Sequence, residues 1–316
     1  MTMKKSGLDI TGTVDSTDPA AVSRAVERIF ADVYGVDAMP QLARAFDDLA
    51  ALFRGRHPRF HACDTPYHDL QHVLDVTLAM ARIVAGHDMN KASARRLGPD
   101  MALLGVLVAL FHDVGYLRRR HDRVHGNGAE YTSRHVERGA RFLADYLPGL
   151  GMDRRRTQMA RALIHFTAYE HRPPAIAMRE PMLHKLGTML GSADLLAQMS
   201  DRCYLEKCRD RLYFEMDLAQ RHPGPAGLPW AFVSSADLIR KTPRFFQHAI
   251  DRRLNGSFQA VHEYVHLYLG DRHVYMDGVE SNRRYLLHTL HMGDLSLLRR
   301  RPPWTLAIRP ESLGVR

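Results

Sequence analysis

Cysteine is scarce in this sequence of 316 residues, which contains only Cys63, Cys203 and Cys208 and no pair with CxxC spacing. An odd number of widely spaced cysteines does not suit a disulfide framework, and it also argues against a zinc site built from thiolates. The same usage fits a reducing compartment. We interpret the three residues as structural thiols.

Long apolar segments are also missing. The first twelve residues, MTMKKSGLDITG, contain no apolar core of the kind that a secretory signal or an anchor requires. The longest apolar run, Met101–Phe111, is well short of the roughly 18–20 residues that cross a bilayer. These absences predict a cytoplasmic protein with no membrane span.

The composition is that of an ordinary folded protein, with 45% hydrophobic and 25% charged residues, which disfavours disorder. The formal charge of +9 suits an acidic partner such as a nucleotide. The arginines are scattered, however, and no known nucleic-acid motif or interleaving of aromatic residues accompanies them. We therefore disfavour nucleic acid as the partner and expect most of these charges to be solvated.

Apolar side chains recur at helical spacing along the chain, and no alternating strand pattern or internal repeat is present, so the sequence predicts an all-α fold. The polar residues 1–16 are expected to be a flexible N-terminus. Residues 17–220 form the main predicted domain. The Pro- and Gly-rich stretch 221–230 marks a boundary, after which 231–316 is predicted to be a helical C-terminal extension.

The segment MALLGVLVALFHDVGY, residues 101–116, is apolar on all sides until it reaches His112 and Asp113. A helix of this kind lies in the middle of a protein, so its C-terminal end should deliver an imidazole and a carboxylate into the interior. A buried ionised carboxylate needs compensation. A metal ion, a salt bridge to the following arginines and a shifted pKa are the three options.

The segment TPYHDLQHVLDV is predicted to be the start of a helix, with Thr65 as its N-cap. His68, His72 and Asp75 would share the face opposite its apolar stripe. His68 and His72 are four residues apart, which allows two imidazoles to converge on one point. Asp75 could orient one of them, or it could face solvent.

Further histidines and one acid are predicted on helices that follow. His135 and His165 each lie on an amphipathic segment, and Asp194 lies in an apolar one, where Gly187 and Gly191 are expected to leave room beside the carboxylate. The complete inward-facing set is His72, His112, Asp113, His135, His165 and Asp194. Imidazole and carboxylate ligands without thiolates suit two divalent ions, chosen from Mn, Fe, Zn or Mg, with open positions for water and substrate.

A basic loop follows the central helix and would lie where a substrate approaches His112 and Asp113. It contains Arg118, Arg119, Arg120 and Arg123. These guanidinium groups could bind phosphate, or they could be a solvated surface.

The ordered set of His72, the His112-Asp113 doublet and Asp194 resembles the H…HD…D signature of the HD-domain superfamily of metal-dependent phosphohydrolases, over roughly residues 60–215. The resemblance implies an HD-type helical bundle with additional C-terminal helices. TPYHDLQHVLDV is similar to a motif of class I cyclic-nucleotide phosphodiesterases, which implies that His68 protonates the leaving oxygen. RHVERGARFL resembles a segment of HD-GYP enzymes, which implies that His135 and His165 hold the second metal ion.

The match to either subfamily ends after the doublet, because no HPGxxN follows HDVGY and no GYP follows His165. The resemblance therefore implies a phosphodiesterase that acts on a small-molecule phosphoester, with a cyclic or related nucleotide as the expected substrate class. A homodimer is compatible with the sequence. The alternatives are an HD-type di-iron oxygenase, which uses a similar ligand set, and a non-catalytic HD sensor or scaffold.

Overall fold

The computed structural model describes residues 7–90, 96–168, 180–223 and 230–308. The predicted all-α class is confirmed. Within these ranges the secondary structure is helical, and the only β-pairings are two isolated bridges, Leu8 to Asp15 and Phe60 to Arg119.

The α-helices in the described ranges are α1 (Pro19–Tyr34), α2 (Pro40–Phe53), α3 (Leu70–Met89), α4 (Gly98–Phe111), α5 (His135–Tyr146), α6 (Arg154–Leu163), α7 (Pro181–Ser200), α8 (Tyr204–Lys207), α9 (Tyr213–Arg221), α10 (Ser235–His248), α11 (Tyr264–Tyr268) and α12 (Val274–Met292). A π-helical turn, Cys208–Leu212, joins α8 to α9, and a second one, Ala249–Ser257, extends α10. The helical segment formed by α8 and α9 was not predicted from the sequence.

The central helix α4 is the core element that its sequence predicts, with every residue from Ala102 to Phe111 buried. It packs against α3 and α7, which bring His72 and Asp194 to its C-terminal end. By length and composition alone, Gly98–Tyr116 would also be apolar enough to cross a membrane. That stretch is 78% buried inside the protein, and the core helix of a soluble protein meets the same criterion.

The predicted start of α3 is wrong. Its N-cap is Asp69, whose carboxylate accepts a hydrogen bond from the His72 backbone N–H at 3.0 Å. Thr65 instead donates its hydroxyl to the His68 carbonyl, which closes a turn before the helix. Because His68 lies in this turn and His72 in the first helical turn, their side chains are positioned by two different local structures.

The described residues 7–16 and the C-terminal extension both pack against the helical core. Asp9 forms a buried ion pair of 2.8 Å with Arg82 of α3, so the expectation of a flexible terminus does not hold for residues 7–16. In the C-terminal extension, α11 packs on α3 and α12 packs on α7. Buried residues such as Leu238 and Leu286 belong to the same hydrophobic core as α4. Residues 224–229 of the predicted boundary lie outside the described ranges.

Candidate metal centre and its cavity

Four side chains from three helical segments meet at the C-terminal end of α4. His72 Nε2 lies 3.4 Å from Asp113 Oδ2 and 3.4 Å from Asp194 Oδ1. His112 Nε2 lies 3.1 Å from the same Asp113 oxygen. Asp113 is therefore at the centre of the group, as expected for a carboxylate that serves more than one ligand position.

These separations fit the edges of a coordination polyhedron. Nitrogen and oxygen ligands lie about 2.0–2.2 Å from a transition-metal ion, which places neighbouring ligand atoms about 3.3 Å apart in a tetrahedron and about 3.0 Å apart in an octahedron. His72, His112 and Asp113 offer ligand atoms that all lie within 4.8 Å of one another. The group can hold a metal ion with little rearrangement.

The hydrogen bonding of His112 prepares it as a ligand. Its Nδ1 lies 2.8 Å from the Ala109 carbonyl, which can only accept, so Nδ1 carries a proton and Nε2 is the nitrogen available to a metal ion. His112 Nε2 and Asp113 Oδ2 are both buried atoms without a hydrogen-bond partner. Such atoms are costly to bury unless a ligand satisfies them.

The electrostatics of the group favour a cation. Burial alone would lower the pKa of His72, but the carboxylates of Asp113 and Asp194 raise it to about 10. Burial likewise opposes ionisation of Asp113, yet the neighbouring histidines hold its pKa well below the usual range. The Asp113 carboxylate thus remains charged in the interior, where a divalent ion would be strongly attracted.

His135 and His165 line the same cavity but are not part of the compact group. His135 donates from Nδ1 to the Thr132 carbonyl at 2.7 Å, and burial lowers its pKa to about 4. It is therefore a neutral imidazole with Nε2 free to bind a metal. His165 is half-buried, with Nε2 4.0 Å from Glu137. A second ion in this half of the cavity would need side-chain movement.

His68 has a partner that the sequence analysis missed. Its Nδ1 lies 2.5 Å from Oε2 of buried Glu215, which is 147 residues away on α9. The other carboxylate oxygen of Glu215 accepts the backbone N–H groups of Tyr67 and His68. Burial would lower the pKa of His68, but Glu215 and Asp113 raise it above its usual value. The pair thus favours a protonated, oriented imidazole at the cavity wall.

Asp75 does not take this orienting position. It lines a separate cavity with Asp201 and Ser200, and it shares only a small cavity with His72. Burial raises its pKa to about 7.

Gly187 and Gly191, the two glycines on the helix of Asp194, are required for a different structural reason from the one predicted. A Cβ on Gly187 would lie 2.4 Å from the Phe166 ring, and one on Gly191 would lie 2.5 Å from the Phe258 ring. Aromatic packing, rather than free space next to the carboxylate, requires small residues there.

Tyr116 joins the two halves of the site. Its ring stacks on His68 with centroids 4.5 Å apart and on His135 with centroids 4.4 Å apart. Directly before it, Gly115 lies so close to α5 that a Cβ would be 1.8 Å from the His135 carbonyl oxygen. The turn after Asp113 and the first residue of α5 therefore pack backbone to backbone.

We expect Gly115→Ala to destabilise the protein by about 3 kcal/mol, the upper end of the usual cost of overpacking, because the obstructing atom belongs to the backbone. Chemical denaturation measures this change. Gly149→Ala is the matched control, since nothing lies within 4 Å of its Cβ position. Equal stability of the two variants would show that the contact relaxes at no cost.

The cavity in front of the ligands has a volume of about 720 Å³. One end is formed by His68, His72, Asp113, His135, His165 and Asp194. Apolar lining residues include Trp230, which ends the predicted boundary, and Phe232 and Phe245, which belong to the predicted C-terminal extension. The extension thus contributes part of the wall of the candidate site.

The structure does not bring the four loop arginines to this cavity. Arg118 forms an ion pair of 2.7 Å with Asp64, and Arg120 donates to the Gly55 carbonyl at 2.9 Å. Arg119 and Arg123 are likewise not among the cavity-lining residues. The cationic side chains that do line it are Arg134, Lys241 and Arg244. No sequence pattern singles out these three residues. Lys241 and Arg244 lie on α10, which is remote in the sequence from the predicted ligands.

Comparisons with known proteins do not place the chain in a family. No protein-family model matches it, and no curated protein sequence matches it either.

Proposed function

We propose that this chain is a metal-dependent phosphohydrolase of the HD-domain superfamily and that it hydrolyses a phosphodiester, with a cyclic or related nucleotide as the substrate class. The observation that carries the proposal is the group formed by His72, His112, Asp113 and Asp194 at the end of a cavity of about 720 Å³. Its buried, unpartnered ligand atoms fit a divalent ion.

His72, His112, Asp113 and Asp194 would hold one ion, and His135 and His165 would bind a second, with Asp113 between the two. When bound, such ions polarise phosphoryl oxygens and make hydroxide available from water at neutral pH. Asp113, whose Oδ2 lies within 3.4 Å of both His72 and His112, would hold an ion at this end of the cavity.

His68 would donate the proton to the leaving oxygen. The support is its place in the cavity wall and its bond to Glu215, which uses Nδ1 and leaves Nε2 for the substrate. A proton donor held by a buried carboxylate is oriented before substrate binds, which is how general acids are made effective. This role separates the phosphodiesterase from the alternatives, because an oxygenase or a scaffold has no need of it.

The remainder of the cavity suits a nucleotide. Arg134, Lys241 and Arg244 supply positive charge for phosphate oxygens. The rings of Trp230 and Phe232 lie 5.9 Å apart in a stacked arrangement and offer an apolar surface for a base. The size of the cavity is within the range usual for small-molecule sites.

The second candidate function is a di-iron oxygenase, favoured by the same six imidazole and carboxylate side chains. The two functions are distinguished by incubating the metal-reconstituted protein without oxygen, in the presence of Mn²⁺, with bis-p-nitrophenyl phosphate and with 3′,5′-cyclic nucleotides.

Hydrolysis under these conditions is the expected result, with protein stripped of metal by a chelator as the control. Turnover that requires oxygen and an iron pair would overturn the proposal in favour of the oxygenase. Metal binding without any turnover on either substrate class would favour a sensor or scaffold.

A further inference from the structure

A second group of metal-ligand side chains lies outside the cavity, at the turn between α11 and α12. Glu263, His266 and His273 offer ligand atoms that all lie within 4.8 Å of one another. Glu263 Oε2 is 3.3 Å from His266 Nδ1 and 3.9 Å from His273 Nδ1. The first distance equals the edge expected of a tetrahedral site, and the second requires only a small movement of the exposed His273 side chain.

The backbone conformation brings these three side chains close together. Gly270 and Asp271 both have positive φ angles, 68° and 56°, and the Asp271 N–H donates to the His266 carbonyl at 2.8 Å. The chain therefore reverses within a few residues and brings the His273 ring to 4.4 Å from that of His266. A non-glycine residue rarely adopts this conformation, so the turn is held by its surroundings.

The contacts within the group are those of ligands rather than of hydrogen bonds. His266 Nδ1 is a buried atom with no hydrogen-bond partner, although Glu263 Oε2 lies only 3.3 Å away. The two atoms are thus close but do not form a hydrogen bond. A metal ion bound to both would satisfy them.

A fully buried imidazole supports the carboxylate. His262 is 1% exposed, and its Nε2 lies 3.1 Å from Glu263 Oε1, the oxygen that is not directed at the other histidines. A buried side chain that holds a ligand in place is the usual companion of a metal site. His262 therefore acts as a positioning residue for Glu263.

We propose that Glu263, His266 and His273 bind one Zn²⁺ ion, with water in the fourth position. Two imidazoles and one carboxylate suit zinc, whereas Mg²⁺ and Ca²⁺ prefer oxygen ligands. Residues 262–266, HEYVH, match the pattern H-E-x-x-H. In metalloproteases with this pattern, both histidines bind zinc and the glutamate acts as a general base. Here His262 is buried against the glutamate instead, so the arrangement supports metal binding and not proteolysis.

The bound ion would link α11 to α12, two helices that pack against α3 and α7. Glu263 and His266 belong to the segment that packs on α3, where Gly86 is in close contact with the Tyr264 carbonyl. His273 is the N-cap of α12, which packs on α7. α3 and α7 carry His72 and Asp194. This link is independent of the proposed phosphodiesterase function, because it requires none of the cavity residues.

The test uses the full chain equilibrated with Zn²⁺ in a weak competing buffer, followed by elemental analysis. His273→Ala and His266→Ala are each expected to hold one zinc fewer than wild type, and zinc should raise their melting temperature less. His288→Ala is the matched control, since it removes an exposed histidine from the same helix α12. Asp113→Asn should lose metal from the other centre and keep this one.

A separate measurement of zinc affinity tests the positioning role of His262. His262→Ala is expected to weaken zinc binding about 10–100-fold, the usual effect of losing a residue that holds a ligand, and His262→Gln should restore part of the loss. If His266→Ala and His273→Ala retain as much zinc as His288→Ala, the site does not exist. Because zinc content is measured without substrate, that failure is separate from any failure of the phosphodiesterase proposal.

Discussion

Asp113→Asn should lose at least about 10³-fold in kcat/KM for phosphodiester hydrolysis, more than the removal of a single transition-state donor costs in other enzymes. The reason is its central position, within 3.4 Å of His72 and 3.1 Å of His112. The amide has nearly the same shape but carries no charge, so it weakens the attraction for every ion in the centre.

The same variant should contain less metal. Wild-type protein at a free ion concentration of about 100 times Kd gains about 2.7 kcal/mol of stability, and Asp113→Asn should gain much less. Elemental analysis and melting temperature with and without Mn²⁺ measure both effects. Asp47→Asn makes the same chemical change at an exposed position of α2 and should resemble wild type. An Asp113→Asn protein with full metal content and full activity would exclude this centre from the reaction.

His68→Ala should retain its metal ions and lose about 10²–10⁴-fold in rate on a cyclic nucleotide, which is the usual contribution of a general acid. The loss should be small on bis-p-nitrophenyl phosphate, because p-nitrophenolate departs without needing a proton. Comparing one variant on two substrates removes any general effect on folding. Equal losses on both substrates, or loss of metal, would show that His68 positions the substrate or binds the ion.

Glu215→Gln tests the proposed acid, His68, through the pH dependence of kcat/KM. The carboxylate of Glu215 raises the pKa of His68, so its replacement by a neutral amide should lower that pKa. His68 would then lose its proton at a lower pH, and the alkaline limb of kcat/KM for the cyclic nucleotide should move to lower pH. The amide oxygen can still accept the backbone N–H groups of Tyr67 and His68, which preserves the local fold. An unchanged alkaline limb would assign that limb to another group.

Local patterns in the sequence were sufficient for the helical class and for the burial of His112 and Asp113 at the end of α4. Asp18 and Pro19 mark the start of α1, with the Asp18 side chain accepting from the Ala20 N–H. The apolar run of α4 required burial, and burial carries His112 and Asp113 inward with it. These predictions succeed because capping and hydrophobic periodicity depend on residues within a few positions of one another.

Only the tertiary structure decided what surrounds those ligands. Glu215 meets His68 across 147 residues, on a helix that follows a π-helical turn and that no periodicity revealed. Phe166 and Phe258 occupy the space beside Gly187 and Gly191, and α10 supplies Lys241 to the cavity in place of the loop arginines. Each of these facts depends on the packing of segments distant in the chain. Contacts between segments that are distant in the chain produce no regular residue spacing from which they could be predicted. The apolar run and the His-Asp pair at its end consist of consecutive residues and are therefore visible in the sequence.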